Sequence, residues 1–348
     1  MTKIVDFGQV QSVAITVLVD NRADLIVKST DAVRRYTDEP LLAEHGFAAL
    51  IELDGPYEEG GKGEKGKGER ADERHAGMRI LWDAGMTRVA LMENMRRMRI
   101  DPATISKIAL SHGHGDHTAA VTEVVEAAAV RPEPRKWEAG ATLDEIRAWV
   151  SGRRVPVVAH PAVFRERWGI GKDGSRYGPL LPPPRAAWEA AGAEVILCEG
   201  PYPLGPGCWT TGFVPRLSFE GAGRSSTRAY REGDAFLQDD LEDDQAIAIH
   251  VAGKGLIVLA GCAHAGIVNT VRHAQAISGV ERVWAILGGF HLAPAEDEEI
   301  ARTIDAIVEI GPAMVVPAHC TGFKAICEFA RRMPEQFVPG VVGTTYLF

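Results

Sequence analysis

The chain of 348 residues lacks the features that mark several classes of protein. No stretch approaches the run of about 18 apolar residues needed for a transmembrane helix, and the N-terminal segment MTKIVDFGQVQS lacks the apolar core of a signal peptide. Long basic runs are absent too, and 38 Lys and Arg against 47 Asp and Glu give a formal net charge of −9. We therefore expect neither a membrane nor a nucleic acid among its partners.

Cysteine is scarce, and the five cysteines are scattered along the chain without a CxxC pair. A disulfide scaffold is therefore not expected, and reduced thiols fit a cytoplasmic location. The sequence also lacks GxGxxG after a strand, GxxxxGK[ST] and GxSxG. These absences leave no support for a nucleotide-binding fold or a serine hydrolase.

What the sequence does contain is an alternation of apolar, β-branched runs and helical patterns. Segments 12–21, 46–53 and 78–85 favour strands, and later segments alternate between helix and strand up to the end of the chain. Two such strand-rich halves predict an α/β protein, a four-layer αββα sandwich in which two sheets pack face to face with helices outside. The Pro- and Gly-rich stretch 169–184 is interpreted as a long loop.

No linker divides the chain, so residues 1–348 are expected to form a single domain with insertions at 55–77 and 131–152. The first insertion is a low-complexity run of Gly, Lys and Glu that cannot bury enough apolar surface to offset its ordering entropy. Within the second, Thr142 and Glu145 have the spacing of a capping box and predict a short helix.

The strongest chemical signal is SHGHGDHT at 111–118, between a predicted buried strand and a predicted helix. His112 and His114 alternate in an extended loop, which can direct both imidazoles at one metal ion. Asp116 and His117 lie at the turn into the helix and would face a second metal ion. The spacing therefore predicts a metal site with one or two divalent ions.

Further site residues are expected at the ends of later strands, where loop side chains converge. His264 and His319 each end a strand and are candidate metal ligands. His291 and His160 also end strands, and either could protonate a leaving group. His45 is a candidate substrate contact.

Two charged residues complete the predicted site. Asp83 is expected to hold a ligand histidine or a piece of backbone in place. Arg216 suits a carboxylate or phosphate of the substrate, because its guanidinium group can bind such anions through two parallel hydrogen bonds.

The HxHxDH motif after a buried strand, preceded by a strand that ends in Asp-x-Gly at 83–85, resembles the metallo-β-lactamase superfamily. Shorter motifs are similar to one branch of metal-dependent hydrolases, some members of which are 7,8-dihydropterin-6-yl-methyl-4-(β-D-ribofuranosyl)aminobenzene 5′-phosphate synthases. These motifs are VDN (19–21), EHG (44–46), ENM (93–95), AHP (159–161), GCAHAGIVNT (261–270), GGFHL (288–292) and PAHCTG (317–322). The resemblance implies the αββα fold and a one- or two-metal site. Zinc is expected there, with iron or manganese as alternatives.

The sequence departs from the superfamily pattern in two turns. TTGFVPR (210–216) lacks the His that hydrolytic members commonly carry in a TxGHT-like turn. Gly261-Cys262 stands where a bridging Asp is expected, and His264 could supply the missing imidazole. Cys262 either ligates a metal as a thiolate or packs as a small apolar residue.

We expect a metal-dependent hydrolase that acts on an ester, lactone, amide or phosphoester of a small molecule. Its metal would lower the pKa of a bound water toward about 7, and Asp116 would orient the nucleophile. His112, His114 and either His264 or His319 would hold one ion; Asp116, His117 and the other histidine would hold the second.

The alternative is a transferase of the dihydropterin/aminobenzene ribosyl phosphate synthase type, with a metal-bound pyrophosphate leaving group. That alternative requires clustered cations around the metal, for which the sequence offers Arg216, Arg224 and Arg228. The oligomeric state is left open, a homo-oligomer being one candidate.

Overall fold

A computed structural model of the protein describes residues 6–53, 78–129, 140–146, 154–220 and 227–348. The strands are β1 (Val13–Val19), β2 (Val33–Arg35), β3 (Ala48–Leu53), β4 (Met78–Trp82), β5 (Lys107–Ala109), β6 (Val155–Ala159), β7 (Arg167–Ile170), β8 (Arg176–Leu180), β9 (Ala193–Leu197), β10 (Tyr202–Gly205), β11 (Cys208–Thr210), β12 (Arg228–Glu232), β13 (Ala235–Gln238), β14 (Ala246–Val251), β15 (Gly255–Ala260), β16 (Val283–Gly289), β17 (Met314–Ala318) and β18 (Thr344–Leu347). The helices are α1 (Arg88–Arg97), α2 (Gly115–Thr118), α3 (Val121–Ala128), α4 (Arg185–Ala191), α5 (Ile267–Ser278), α6 (Asp297–Ile310) and α7 (Phe323–Arg332). Single 3₁₀ turns lie at Pro102–Thr104, Pro161–Phe164 and His319–Thr321.

Two large mixed sheets form the body of the protein. The first has eight strands in the order β2-β18-β1-β3-β4-β5-β6-β9, and the second has six in the order β10-β11-β14-β15-β16-β17. Neighbours from β4 to β9 in the first sheet and from β15 to β17 in the second are parallel. Loops that leave the carboxyl ends of these parallel strands therefore meet along one edge of each sheet.

The two sheets pack face to face, with helices on both outer faces. Ile51 of β3 and Trp82 of β4 share one apolar core with Leu259 of β15 and Val316 of β17. Helices α1, α3 and α4 cover the outside of the first sheet, and α5, α6 and α7 cover the outside of the second. This arrangement confirms the four-layer αββα sandwich predicted from the sequence.

A third sheet was not predicted. It has four antiparallel strands in the order β13-β12-β7-β8, so interpreting 169–184 as a loop was wrong for the residues in β7 and β8. Strand β8 is an edge strand whose side chains are mostly exposed, and it therefore lacks the alternation of buried and exposed residues that marks a strand in sequence. Trp168 and Phe236 pack edge to face across this sheet with their ring centroids 5.1 Å apart.

The predicted insertion at 55–77 and most of the one at 131–152 lie outside the described residues. In the described part of the second, the Thr142 amide donates to Glu145 Oε2 at 2.8 Å, and the Glu145 amide donates to Thr142 Oγ1 at 3.2 Å. These reciprocal bonds confirm the capping box, and residues 143–146 are helical. None of the described helices has the length and apolar character needed to cross a membrane.

Candidate metal centre

Three imidazoles converge at the carboxyl ends of β5 and β15. His112 and His114 lie in the loop between β5 and α2, with His112 Nε2 2.9 Å from His114 Nδ1. His264 comes from the loop between β15 and α5 and places its Nε2 3.2 Å from His112 Nε2. We call His112, His114 and His264 the first subsite.

A second group forms around the Asp116 carboxylate at the start of α2. Asp116 Oδ2 lies 3.6 Å from His117 Nε2 and 3.4 Å from His319 Nε2, where His319 follows β17. We call Asp116, His117 and His319 the second subsite. The sequence did not indicate which subsite His264 and His319 belong to. In the structure His264 lies in the first subsite and His319 in the second.

A buried hydrogen-bond network orients the second subsite. Asp83 accepts hydrogen bonds from the Ser111 amide and the Ser111 hydroxyl, both at 2.7 Å, and its Oδ2 lies 2.7 Å from His117 Nδ1. Burial acts to lower the pKa of His117, but the carboxylates of Asp83 and Asp116 outweigh it and raise that pKa to about 9. With its Nδ1 hydrogen-bonded to Asp83, the His117 ring directs Nε2 toward the centre. Asp83 thus contacts both a candidate ligand histidine and a piece of backbone, as the sequence predicted.

The backbones of the two later histidines are also tied down. The Asp20 carboxylate accepts from the His319 amide at 2.8 Å, and Asn21 Nδ2 donates to the His319 carbonyl at 3.1 Å. Asp244 accepts from the Ala265 amide at 2.8 Å, directly after His264. His319 has φ 46°, a left-handed conformation that these bonds hold in place. Asp20 and Asn21 belong to the VDN motif at 19–21, and Asp244 belongs to an acidic run. The sequence predicted no supporting role for these three residues.

The electrostatics of the cluster suit a bound cation. Burial is the largest cause that lowers the pKa of His112, His114 and His264, and that of His114 falls to about 3. These rings are therefore neutral at neutral pH, the form that ligates metals. Among the described residues, neither ring nitrogen of buried His319 makes a hydrogen bond, although its Nε2 lies 3.4 Å from Asp116 Oδ2. Buried imidazoles with unused nitrogens beside a carboxylate are a donor set that fits Zn²⁺, Fe²⁺ or Mn²⁺.

The other predicted histidines lie at different distances from the cluster. The ring centroids of His291 and His264 lie 4.2 Å apart, and within the described part of the chain the buried His291 Nδ1 has no hydrogen-bond partner. His45 Nε2 lies 3.4 Å from Asp116 Oδ2, and its side chain is 60% exposed at the mouth of the site. The structure does not bring His160 to the cluster: its Nδ1 accepts from the Ala162 amide at 3.2 Å and caps the turn Pro161–Phe164.

A cavity of about 900 Å³ opens over the cluster. Its floor includes His114, Asp116, His264 and His319, and its opposite wall comes from the third sheet and its flanking loops. Of the residues that the structure describes, four arginines line the cavity: Arg165, Arg167, Arg216 and Arg228. Such a volume accommodates a small molecule.

Arg216 binds two carbonyl oxygens at the rim. Its Nη1 donates to the His264 carbonyl at 2.5 Å, and its Nη2 donates to the Asp240 carbonyl. Arg216 thereby supports the loop that carries His264 and also faces the cavity. Arg224, the other cation considered in the sequence, lies outside the described residues.

Sequence reasoning missed Arg165 and Arg167 of the cavity wall. Both are ion-paired: Arg165 Nη2 lies 2.6 Å from Glu242 Oε2, and Arg167 Nη2 lies 2.6 Å from Asp243 Oδ1. Nothing local in the sequence marks these pairs, because their partners come from a loop 76 or more residues away.

The comparison with known families agrees with this fold. Residues 74–319 match the family described as the metallo-beta-lactamase superfamily, and the chain belongs to it. A solved structure of a metal-dependent hydrolase of the beta-lactamase superfamily superposes with a TM-score of 0.64 at 19% identity, over 96% of this chain and 98% of that one.

Two relatives come from Methanocaldococcus jannaschii. The chain is 29% identical, over 89% of its length and 95% of the relative, to 7,8-dihydropterin-6-methyl-4-(beta-D-ribofuranosyl)-aminobenzene-5'-phosphate synthase. It is 28% identical to an uncharacterized protein, over 86% of its length and 92% of that protein. The resemblance stated from the motifs is thereby confirmed.

Proposed function

We propose that the protein is a metal-dependent hydrolase that acts on an ester, lactone, amide or phosphoester of a small molecule. The observation that carries this proposal is the convergence of the first and second subsites on the floor of one cavity. A divalent ion, with Zn²⁺ as the first choice, would supply Lewis acidity and lower the pKa of a water molecule toward about 7.

The chain's own residues would divide the remaining work. The first subsite would hold one ion, and the second subsite would hold another. Asp116 also faces the cavity, where its carboxylate can orient a nucleophile. His291 lies beside His264 with an unused ring nitrogen, so it is the proposed proton donor to the leaving group. His160 takes no part in this scheme, because its ring nitrogen caps a turn.

The cavity wall favours a substrate with an anionic group. Arg216 and Arg228 both line the cavity, and a guanidinium group binds a carboxylate or phosphate through charge-assisted hydrogen bonds. Arg165 and Arg167 contribute less, because acidic side chains already neutralise them. His45, at the mouth, is the proposed second substrate contact.

A second candidate is a synthase that releases pyrophosphate. Two observations favour it: the relative of that name aligns over 95% of its length, and the cavity holds more arginines than the sequence suggested. In this scheme the same floor would bind the leaving pyrophosphate. Release of pyrophosphate from a pterin methyl pyrophosphate that depends on an added aminobenzene ribosyl phosphate would favour the synthase. Hydrolysis of a substrate in the absence of a second substrate would favour the hydrolase.

The first experiment measures metal content in protein purified without a metal-binding tag. We expect two equivalents per chain, with a loss in both His114→Ala and His264→Ala. The matched control is His250→Ala, since His250 binds the Gly8 carbonyl far from the cluster. Metal-free wild-type protein that takes up none on addition would contradict the proposal. A screen of esters, lactones and phosphodiesters on the loaded protein then tests the reaction class.

A further inference from the structure

Two cysteine thiols meet beside the candidate metal centre. Cys262 follows the loop residue that ends β15, and Cys320 lies in the turn His319–Thr321 after β17. Their sulfur atoms lie within 4.8 Å of each other, and Cys320 Sγ lies 3.5 Å from the Cys262 carbonyl oxygen. Strands β15, β16 and β17 are parallel neighbours, so the two turns emerge at the same edge of the second sheet. The fold thus brings together two thiols that are 58 residues apart in sequence.

A glycine between the two turns permits this approach. Gly289 ends β16, the strand that separates β15 from β17. A Cβ added at Gly289 would lie 2.7 Å from Cys320 Sγ and 3.2 Å from Cys262 Cα. Because any other residue would fill this space, only glycine lets the Cys320 sulfur reach across the end of β16 to Cys262.

Both thiols are reached from the cavity. Cys262 is only 3% exposed and Cys320 is half-buried, yet both line the cavity above the metal centre. A molecule as small as hydrogen peroxide therefore has access to the pair. Two other cysteines are placed differently: Cys208 belongs to the apolar core between the sheets, and the Cys198 thiol donates to the Gly200 carbonyl.

We propose that Cys262 and Cys320 form a reversible disulfide when they meet a peroxide, and that this bond weakens metal binding at the second subsite. One thiol reduces hydrogen peroxide, becoming a sulfenic acid and releasing one water. The other thiol attacks that sulfur, so that the S–S bond forms and the second water leaves. An added dithiol reverses the step by thiol–disulfide exchange. The effect on metal binding rests on the proposed function, whereas formation of the disulfide does not require a bound metal.

The position of the pair explains why the bond would disturb the second subsite. Disulfide sulfurs lie about 2.05 Å apart, so bond formation draws the two turns together. His319 directly precedes Cys320, and Cys262 Sγ lies 3.2 Å from His117 Nε2. Both histidines belong to the second subsite, and movement of either sulfur therefore acts on a candidate ligand.

Peptide mass spectrometry tests the disulfide. The full-length protein is treated with hydrogen peroxide as purified, its remaining thiols are alkylated, and it is digested. We expect a peptide that links Cys262 and Cys320 and disappears after treatment with dithiothreitol. Cys262→Ser and Cys320→Ser should lose this peptide, while Cys327→Ser, at an exposed position on α7, is the matched control and should keep it. Circular dichroism checks that each variant is folded.

Two outcomes would overturn the disulfide. One is recovery of Cys262 and Cys320 as separate alkylated peptides from the oxidised wild type. The other is oxidation of either residue to a sulfinic acid without any linked peptide.

Zinc titration against a competing chelator tests the consequence. Oxidised wild-type protein should bind zinc at least about tenfold more weakly than the reduced protein, and dithiothreitol should restore the affinity. The same peroxide treatment should leave the zinc affinity of Cys320→Ser unchanged. A linked peptide without any change in zinc affinity would overturn the control of metal binding. Reduced protein that binds no zinc would contradict the proposed function, while the linked peptide would still establish the disulfide.

Discussion

The floor and the wall of the cavity are built on different physical principles. The floor consists of imidazoles and one carboxylate, with neighbouring nitrogens 2.9 and 3.2 Å apart in the first subsite and nitrogen-to-oxygen distances of 3.4 and 3.6 Å in the second. Backbone hydrogen bonds and Asp83 hold these side chains in place. The wall is held by full charges: Arg167 is 5% exposed and lies between Asp239 and Asp243, which are both fully buried.

One carboxylate connects the two regions. Asp243 Oδ2 accepts from the Gly113 amide at 2.7 Å, between His112 and His114, while its Oδ1 accepts from Arg167 Nη2 at 2.6 Å. A Cβ at Gly113 would lie 2.4 Å from the Val163 carbonyl, so the loop and the wall touch without a side chain between them. The two regions therefore have different roles. The floor supplies the candidate metal ligands, and the wall stabilises the loop between β5 and α2 that carries His112 and His114.

Replacing Arg167, the buried cation of the cavity wall, should have the largest effect, and that effect is on stability. Arg167→Met removes the guanidinium group that pairs with the buried carboxylates of Asp239 and Asp243, while Asp239 keeps its 3.5 Å contact with Arg165. We expect this loss to lower the free energy of unfolding by about 3–5 kcal/mol. Urea unfolding of the metal-free protein measures this. The control Arg185→Met removes a half-exposed pair with Glu189 and should change stability by less than about 1 kcal/mol. Equal free energies of unfolding for Arg167→Met and the wild type would contradict the claim that the ion pairs of the wall stabilise the protein.

Removing the Asp83 carboxylate, which supports His117 of the second subsite, should have an intermediate effect. We expect that effect on metal binding rather than on folding. Asp83→Asn keeps the shape of the side chain but removes the charge that fixes the His117 ring, so metal affinity should fall by about 10–100-fold. Zinc titration against a competing chelator measures it. Asp173→Asn, in an exposed turn closed by Ser175, is the control and should bind zinc like the wild type. Unchanged zinc affinity in Asp83→Asn would remove Asp83 from the support of the centre.

The same contrast explains how much of the site the sequence could predict. The HxHxDH segment is local, since one strand-to-helix junction carries His112, His114, Asp116 and His117, and its residues therefore meet in any fold that forms that junction. The αββα layers were predictable for a similar reason, because apolar runs of strand length alternate with amphipathic helices. Which of His264 and His319 joins which subsite depends on the order of strands in the second sheet, and spacing along the chain does not encode that order.

The wall could not be predicted, because its contacts join distant segments. Arg167 and Asp243 are 76 residues apart, and both look like ordinary surface charges in sequence. His160 shows the opposite failure: it ends a strand as His264 does, but the Pro161–Phe164 turn that follows uses its ring nitrogen as a cap. The end of a strand is therefore not a sufficient signal for a site residue, because the conformation of the turn that follows can engage the side chain elsewhere.

The rim, where wall and floor meet, should give the smallest effect. Arg216→Gln keeps a donor for the His264 carbonyl but removes the positive charge at the cavity. We expect KM for an anionic substrate to rise about fivefold, corresponding to about 1 kcal/mol of charge-assisted hydrogen bonding, with little change in kcat or in metal content. Parallel kinetics on a neutral ester of similar size provides the internal comparison, and its KM should stay constant. An equal rise in KM for both substrates would mean that Arg216 acts through the His264 loop and belongs to the floor rather than to substrate binding.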